Sequence, residues 1–181
     1  MGLVSVNRGS MKKIVVFGKP GSGKSTLSKN LALATGLKLY ALDSIVYKKN
    51  GDLVDRKTYD EEHENILSSD SWIIDGFGPI ESFNKRLDVA DTLIYIELPY
   101  FISYWLVTKR FLKGLVVKPE GWPEGSSILK GTLKSYKVLK LCPKFWDDSF
   151  MQKLEKLSTN KSLYVIQSVS ELNSFVDKHV K

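Results

Sequence analysis

The sequence predicts an α/β fold in three layers, a parallel sheet covered by helices on both faces. Three observations carry that prediction. Short apolar runs alternate with stretches of helical periodicity, the order that right-handed strand–helix–strand crossovers produce. The runs are β-branched and lack the polar alternation of a half-exposed sheet, so each strand is expected to be covered on both sides. A chain of 181 residues suits one such core and is too short for two.

The elements follow in order. Ile14-Val15-Val16-Phe17 is the first strand. Beyond a glycine-rich stretch, Leu27, Leu31 and Ala34 share one helical face, and Gly36 supplies a stop. Residues 37–42 fit a second strand ending at Asp43, and Asn50-Gly51 reads as an exposed turn. A polar, solvent-facing helix is predicted over 59–67. Trp72-Ile73-Ile74 rise into Asp75-Gly76 as a third strand, and 92–98 form a fourth that closes at Pro99. A helix over 101–112 leads to Gly114, Pro119, Gly121, Pro123 and Gly125, too many breakers for regular structure and a natural mobile lid over about 113–127. Helices over 128–141, 150–157 and 171–179 and a strand over 163–166 complete the chain. Residues 1–12 are expected to be an extension to a single domain over 13–181.

Composition narrows the classes of function. An apolar fraction of 43% and a charged fraction of 26% describe a folded chain, not a disordered one. The formal net charge of +7 lies in the second half: residues 1–99 hold 13 Lys and Arg against 13 Asp and Glu, and 100–181 hold 14 against 7. That asymmetry suits an anionic partner, whether nucleotide, nucleic acid or membrane surface; it equally describes a lysine-rich solvated face. The single cysteine, Cys142, excludes an internal disulfide and points to a reducing cytoplasm. His63 and His179 have no metal-ligand spacing. The apolar run 100–107 is far below the roughly 20 residues that span a bilayer, so no membrane partner is expected.

Gly18-Lys19-Pro20-Gly21-Ser22-Gly23-Lys24-Ser25 satisfies G-x-x-x-x-G-K-[ST], with Thr26 next. Gly18, Gly21 and Gly23 let the loop, to which Pro20 and Ser22 also belong as binding residues, turn its available N–H groups toward an anion where a β-carbon would obstruct. Gly23 to Thr26 open a helix whose N-terminal dipole adds to the same field. Lys24 would set its ammonium between terminal phosphates, and the Ser25 hydroxyl would ligate the magnesium ion that bridges them. The expected cofactors are therefore ATP and Mg2+.

With these residues in place the chain resembles the adenylate-kinase-like P-loop kinases, and among them the small bacterial topology modulation proteins. The likeness rests on Gly18 to Thr26, Leu42-Asp43, Trp72-Ile73-Ile74-Asp75-Gly76 and Arg86-Leu87-Asp88-Val89-Ala90-Asp91. It covers about the first 100 residues well and the rest loosely. It implies the P-loop NTPase fold and γ-phosphoryl transfer to a small unidentified acceptor. Asp43 matches a strand-end carboxylate that binds or activates that acceptor; the competing role is to cap the next turn. Asp75 matches an acidic residue that contacts acceptor or holds metal-bound water, with Gly76 leaving room for substrate; the competing role is a plain turn.

Arg86 matches an arginine that grips the acceptor or the transferred group, while Asp88 and Asp91 offer it a structural ion pair instead. Arg110 matches an arginine that neutralises charge on that group. The chain departs from the pattern in having no arginine after Arg110, leaving Lys113, Lys118 and Lys130 as point charges. The likeness also implies an alternative, a nucleotide-dependent regulator or modulator of DNA topology without kinase turnover.

Lys130, Lys134, Lys137 and Lys140 gather along one helical face, as a phosphate-tracking stripe or a solvated face would. Nucleic acid is thus a possible partner but not the favoured one. Trp105, Trp146, Phe111 and Phe145 are expected in the core, Trp122 on the lid, and Cys142 as an inert thiol. A monomer and a homodimer are both compatible with the sequence.

Overall fold

Every residue of the segment 14–17 is fully buried, as its unbroken apolar character predicts. In the computed structural model, which describes residues 11–46, 53–114 and 128–180, this segment lies in β1 (Lys13–Gly18), the central strand of a parallel five-stranded sheet. The others are β2 (Leu39–Ala41), β3 (Trp72–Asp75), β4 (Thr92–Ile96) and β5 (Ser162–Ile166), in the order β2-β3-β1-β4-β5. Val16 stands opposite Asp75 on β3 and Ile94 on β4, and Ala41 of β2 also pairs with Asp75.

Alternation along the strands builds two cores. Val15, Phe17, Ile74, Leu93 and Tyr95 point to one face, covered by α3 (Arg56–Leu67), α4 (Ile80–Val89) and α7 (Asp148–Leu157). Ile14, Val16, Ile73, Ile94 and Ile96 point to the other, covered by α1 (Lys24–Thr35) and α8 (Val169–His179). The first face is aromatic: the Phe17 ring stacks on Tyr95 at 5.3 Å and meets Phe83 edge-on at 5.2 Å, with Trp146 and Phe150 closing the cluster. Side-chain caps fix helix starts: Asp55 accepts from the Thr58 amide, Asp147 from Phe150 and Ser168 from Glu171.

Two elements differ from expectation. The second strand is short, and Asp43 lies in the first turn of a five-residue helix, α2 (Leu42–Val46), not at a strand end. Three residues suffice at an edge strand that pairs on one side only. The helix α4 carries Arg86 and is absent from the sequence reading, because its polar first turn and Pro79 resemble a loop. α5 (Tyr100–Gly114) and α6 (Ile128–Leu141) match their predictions, whereas Asn50, Gly51, Trp122 and the lid beyond Gly114 lie outside the described residues. Among the described residues no helix is long and apolar enough to cross a membrane.

Candidate active site

Strand order places the glycine-rich loop. From β1 the chain crosses by α1 to β2 on one side, and from β3 it crosses over the other face to β4. Connections leaving β1 and β3 thus diverge to opposite faces, and a crevice opens beyond the carboxyl ends of these neighbouring strands. Gly18 ends β1 at that crevice and Asp75 ends β3. The Gly76 amide donates to the Val16 carbonyl at 3.0 Å, which ties the two loops at their roots.

The loop needs its glycines for two separate reasons. Gly21 and Gly23 have φ of 74° and 83°, left-handed conformations that side chains disfavour. There is also no room: a β-carbon at Gly18 would lie 2.3 Å from the Ile96 carbonyl oxygen, and one at Gly21 2.7 Å from Val107 Cγ2 and 2.8 Å from the Ser103 carbonyl oxygen. The loop is thus wedged between the end of β4 and the inner face of α5. At Gly23 the neighbour is Leu172 of α8, 2.7 Å away. Pro20 is half-buried, the Ser22 side chain is fully buried, and Ser25 and Thr26 are exposed in the first turn of α1.

The Lys24 ammonium folds back over the loop to donate to the Lys19 carbonyl at 2.8 Å. Lys19 itself, a variable position of the motif, is 3% exposed and sets its ammonium 4.4 Å over the Tyr100 ring. Burial lowers its pKa, with Glu97 opposing. Ser22 Oγ and Ser103 Oγ are buried without hydrogen-bond partners among the described residues, an unmet capacity in the loop and in the helix against it. A cradle that a β-carbon would fill, together with a lysine and a helix start, fits a nucleotide polyphosphate and its magnesium ion.

The acceptor-side residues divide. Asp75 is 6% exposed, at the mouth of the crevice, and Gly76 follows with φ of 120° and space for a β-carbon only 3.2 Å from that of Leu42. Asp43 comes one residue after Leu42, so its backbone approaches the same loop.

Arg86 is fully buried and contacts neither Asp88 nor Asp91; Asp91 instead accepts from the Lys12 and Lys13 amides. The guanidinium donates to the Phe77 carbonyl, to Tyr59 Oη at 3.4 Å and to His63 Nε2 at 3.1 Å. The sequence reading put Tyr59 and His63 on a solvent-facing helix and gave them no role; the structure buries both, and their spacing of four on α3 was the available signal. Burial pushes His63 down to about 4, with the Arg86 charge acting in the same direction. Arg110 lies away from this group, exposed on α5 and donating to Ser135 Oγ on α6 at 3.0 Å.

The aromatic expectations divide too. Trp146 joins the core cluster and Phe111 is half-buried, but Trp105 and Phe145 are 61% and 58% exposed. Cys142 is buried, and burial raises its thiol pKa, consistent with an unreactive thiol.

Comparison with solved structures defines the class by fold. A gluconokinase from Sinorhizobium meliloti superposes with a TM-score of 0.51 at 16% identity, over 93% of this chain and 89% of that one. Shikimate kinase from Acinetobacter baumannii gives 0.53 at 14% identity, over 93% and 94%, and that from Bacteroides thetaiotaomicron 0.52 at 14%, over 93% and 96%. The chain thus shares the three-layer α/β fold of these small-molecule kinases. No family model and no curated protein matches it in sequence.

Proposed function

We propose that the chain is a magnesium-dependent kinase that transfers the γ-phosphoryl group of ATP to a small hydroxyl or phosphate acceptor. The observation that carries this reading is the wedged glycine loop at the switch point, with buried Asp75 in register beside it. Lys24 leaves the Lys19 carbonyl to neutralise the terminal phosphates, and the loop amides bind the phosphate oxygens. Ser25 and, through water, Asp75 are the groups that would hold Mg2+, which would supply positive charge to offset that of the phosphates. Asp43 accepts the proton of the acceptor, and Gly76, which carries no side chain, lines the acceptor pocket. Arg86 fixes the loop after Asp75 through the Phe77 carbonyl, so its contribution to acceptor binding is exerted through that loop. Arg110 is placed to reach the transferred group only if α5 and α6 close toward the crevice.

Steady-state assays with ATP, Mg2+ and a panel of sugars, hydroxy acids, nucleosides and nucleoside monophosphates test the reading. Acceptor-dependent ADP release that is abolished in Lys24→Ala is expected. ATP binding with no acceptor raising turnover above the hydrolysis blank would sink the kinase reading and leave a nucleotide-controlled regulator, as the likeness to topology modulation proteins also allows.

A further inference from the structure

The whole formal net charge of +7 belongs to residues 100–146, which hold nine Lys and Arg against two Glu, while the rest of the chain is balanced. This segment includes α5 and α6. Within the two helices and the turn to Trp146 there is no acidic residue at all.

The same helices expose apolar side chains. On α5, Phe101 is 74% exposed, Trp105 61% and Leu112 54%. Their spacings of four and seven place them on one stripe, and that stripe lies opposite Ser103 and Val107, which face the glycine loop. The stripe therefore points away from the nucleotide crevice. Alongside it, α6 packs through Tyr136, whose ring stacks on Tyr104 at 5.8 Å and whose hydroxyl meets Thr108 Oγ1 at 2.7 Å. Leu129 and Leu133 of α6 are 54% and 50% exposed. Five large apolar side chains are thus left in water on two helices packed against each other, exposure of the kind that marks an interaction surface.

We propose that this α5–α6 face is a peripheral docking surface for an anionic lipid bilayer. Charge complementarity selects that occupant. A second copy meeting the face by two-fold symmetry would bring the same net positive charge against it. A nucleic-acid duplex, whose bases are already stacked on one another, would satisfy the lysines but leave the leucines, Phe101 and Trp105 in water. An acidic headgroup layer satisfies both: lysines remain among the headgroups, while the aromatic and leucine side chains enter the acyl boundary. Such attachment needs no spanning helix.

The experiment is co-sedimentation of the full chain with vesicles of phosphatidylglycerol mixed with phosphatidylcholine, or of phosphatidylcholine alone, at low and high salt. The anionic vesicles should retain the protein, the neutral ones far less, and salt should weaken retention. Paired Phe101→Ser and Trp105→Ser changes should reduce the partition roughly tenfold or more, from the lost burial of two aromatic side chains. Paired Lys134→Gln and Lys137→Gln changes should reduce it in anionic vesicles only. The Trp105 emission, read as the difference from Trp105→Phe, should shift to the blue on binding. All these positions are on the surface, so thermal transitions and ATP affinity should be unchanged, which separates this inference from the kinase reading. It is overturned by absence of sedimentation with anionic vesicles at low salt. It is equally overturned by retention that ignores lipid charge, by a dimer that depends on Phe101 and Trp105 without vesicle binding, or by duplex DNA binding without vesicle binding.

Discussion

Arg86 can only donate, so each group it meets must offer a lone pair, and that fixes the chemistry around it. His63 must accept through Nε2, hence carries its proton on Nδ1 and stays neutral beside the cation. The folded-state pKa of His63, about 4, lies below its ordinary 6.5, so the unfolded chain binds the proton more readily between those values. Stability is therefore full above about pH 6.5 and falls as pH drops toward 4, by on the order of 3 kcal/mol from this group. Urea midpoints across that range should show the fall, and His63→Gln, which keeps an acceptor but cannot titrate, should flatten it.

Arg86→Met should strand the Phe77 carbonyl, Tyr59 and His63 in the interior. A loss of about 3 kcal/mol is expected, a drop in melting temperature of roughly 6–12 °C. Arg86→Lys should recover only part, because one ammonium cannot span three acceptors in the plane of a guanidinium. Calorimetry of the three proteins decides. The arginine was visible in the sequence, but its partners were not, since Tyr59 and His63 lie on another helix and the Phe77 carbonyl belongs to a loop.

At the scale of elements, the glycine loop is clamped by two helices that differ in how far they can yield. At Gly23 the obstructing atom is the far end of Leu172, a flexible side chain; at Gly21 it includes the Ser103 carbonyl oxygen, part of a helix backbone. Gly21→Ala should accordingly lower ATP affinity more than Gly23→Ala, by roughly tenfold or more, and Leu172→Ala should restore part of the loss at Gly23 only. Titration calorimetry with a non-hydrolysable ATP analogue would check the order, and equal losses would count against it.

Strands β1, β3 and β4 were legible because strands buried on both sides leave unbroken apolar runs, and the half-buried edge strand β5 was legible from its short run of β-branched and aromatic residues. α2 and α4 were not, since a five-residue helix has no periodicity to read and the polar start of α4 resembles a turn. The exposure of Trp105 and Phe145 was equally illegible. Apolar character shows that a side chain can be buried; which face the fold leaves uncovered depends on where α6 packs.

For the whole molecule, linkage makes a test of the site independent of any acceptor. ATP with Mg2+ at about a hundred times its dissociation constant should stabilise the fold by about 2.7 kcal/mol, a rise in melting temperature of roughly 5–10 °C. Lys24→Ala should abolish the rise while leaving the unliganded transition near its original position, because Lys24 is not part of either core. The motif and its place between strand and helix were readable from residue order alone. What the sequence could not convey is the convergence of β4, α5 and α8 on that loop, since each contact joins residues some 80 to 150 positions apart.

Hydrogen bonding on both edges of β1 and complete burial of its residues 14–17 have a further consequence for time scale. Amides of such a strand reach solvent only when the whole molecule opens, so their exchange with deuterium should be the slowest in the chain and report its global stability. The loop that begins at Gly18 is anchored to the slowest-moving part of the protein. A nucleotide arriving there meets a surface already ordered, and little of its binding energy is consumed in freezing the backbone it touches.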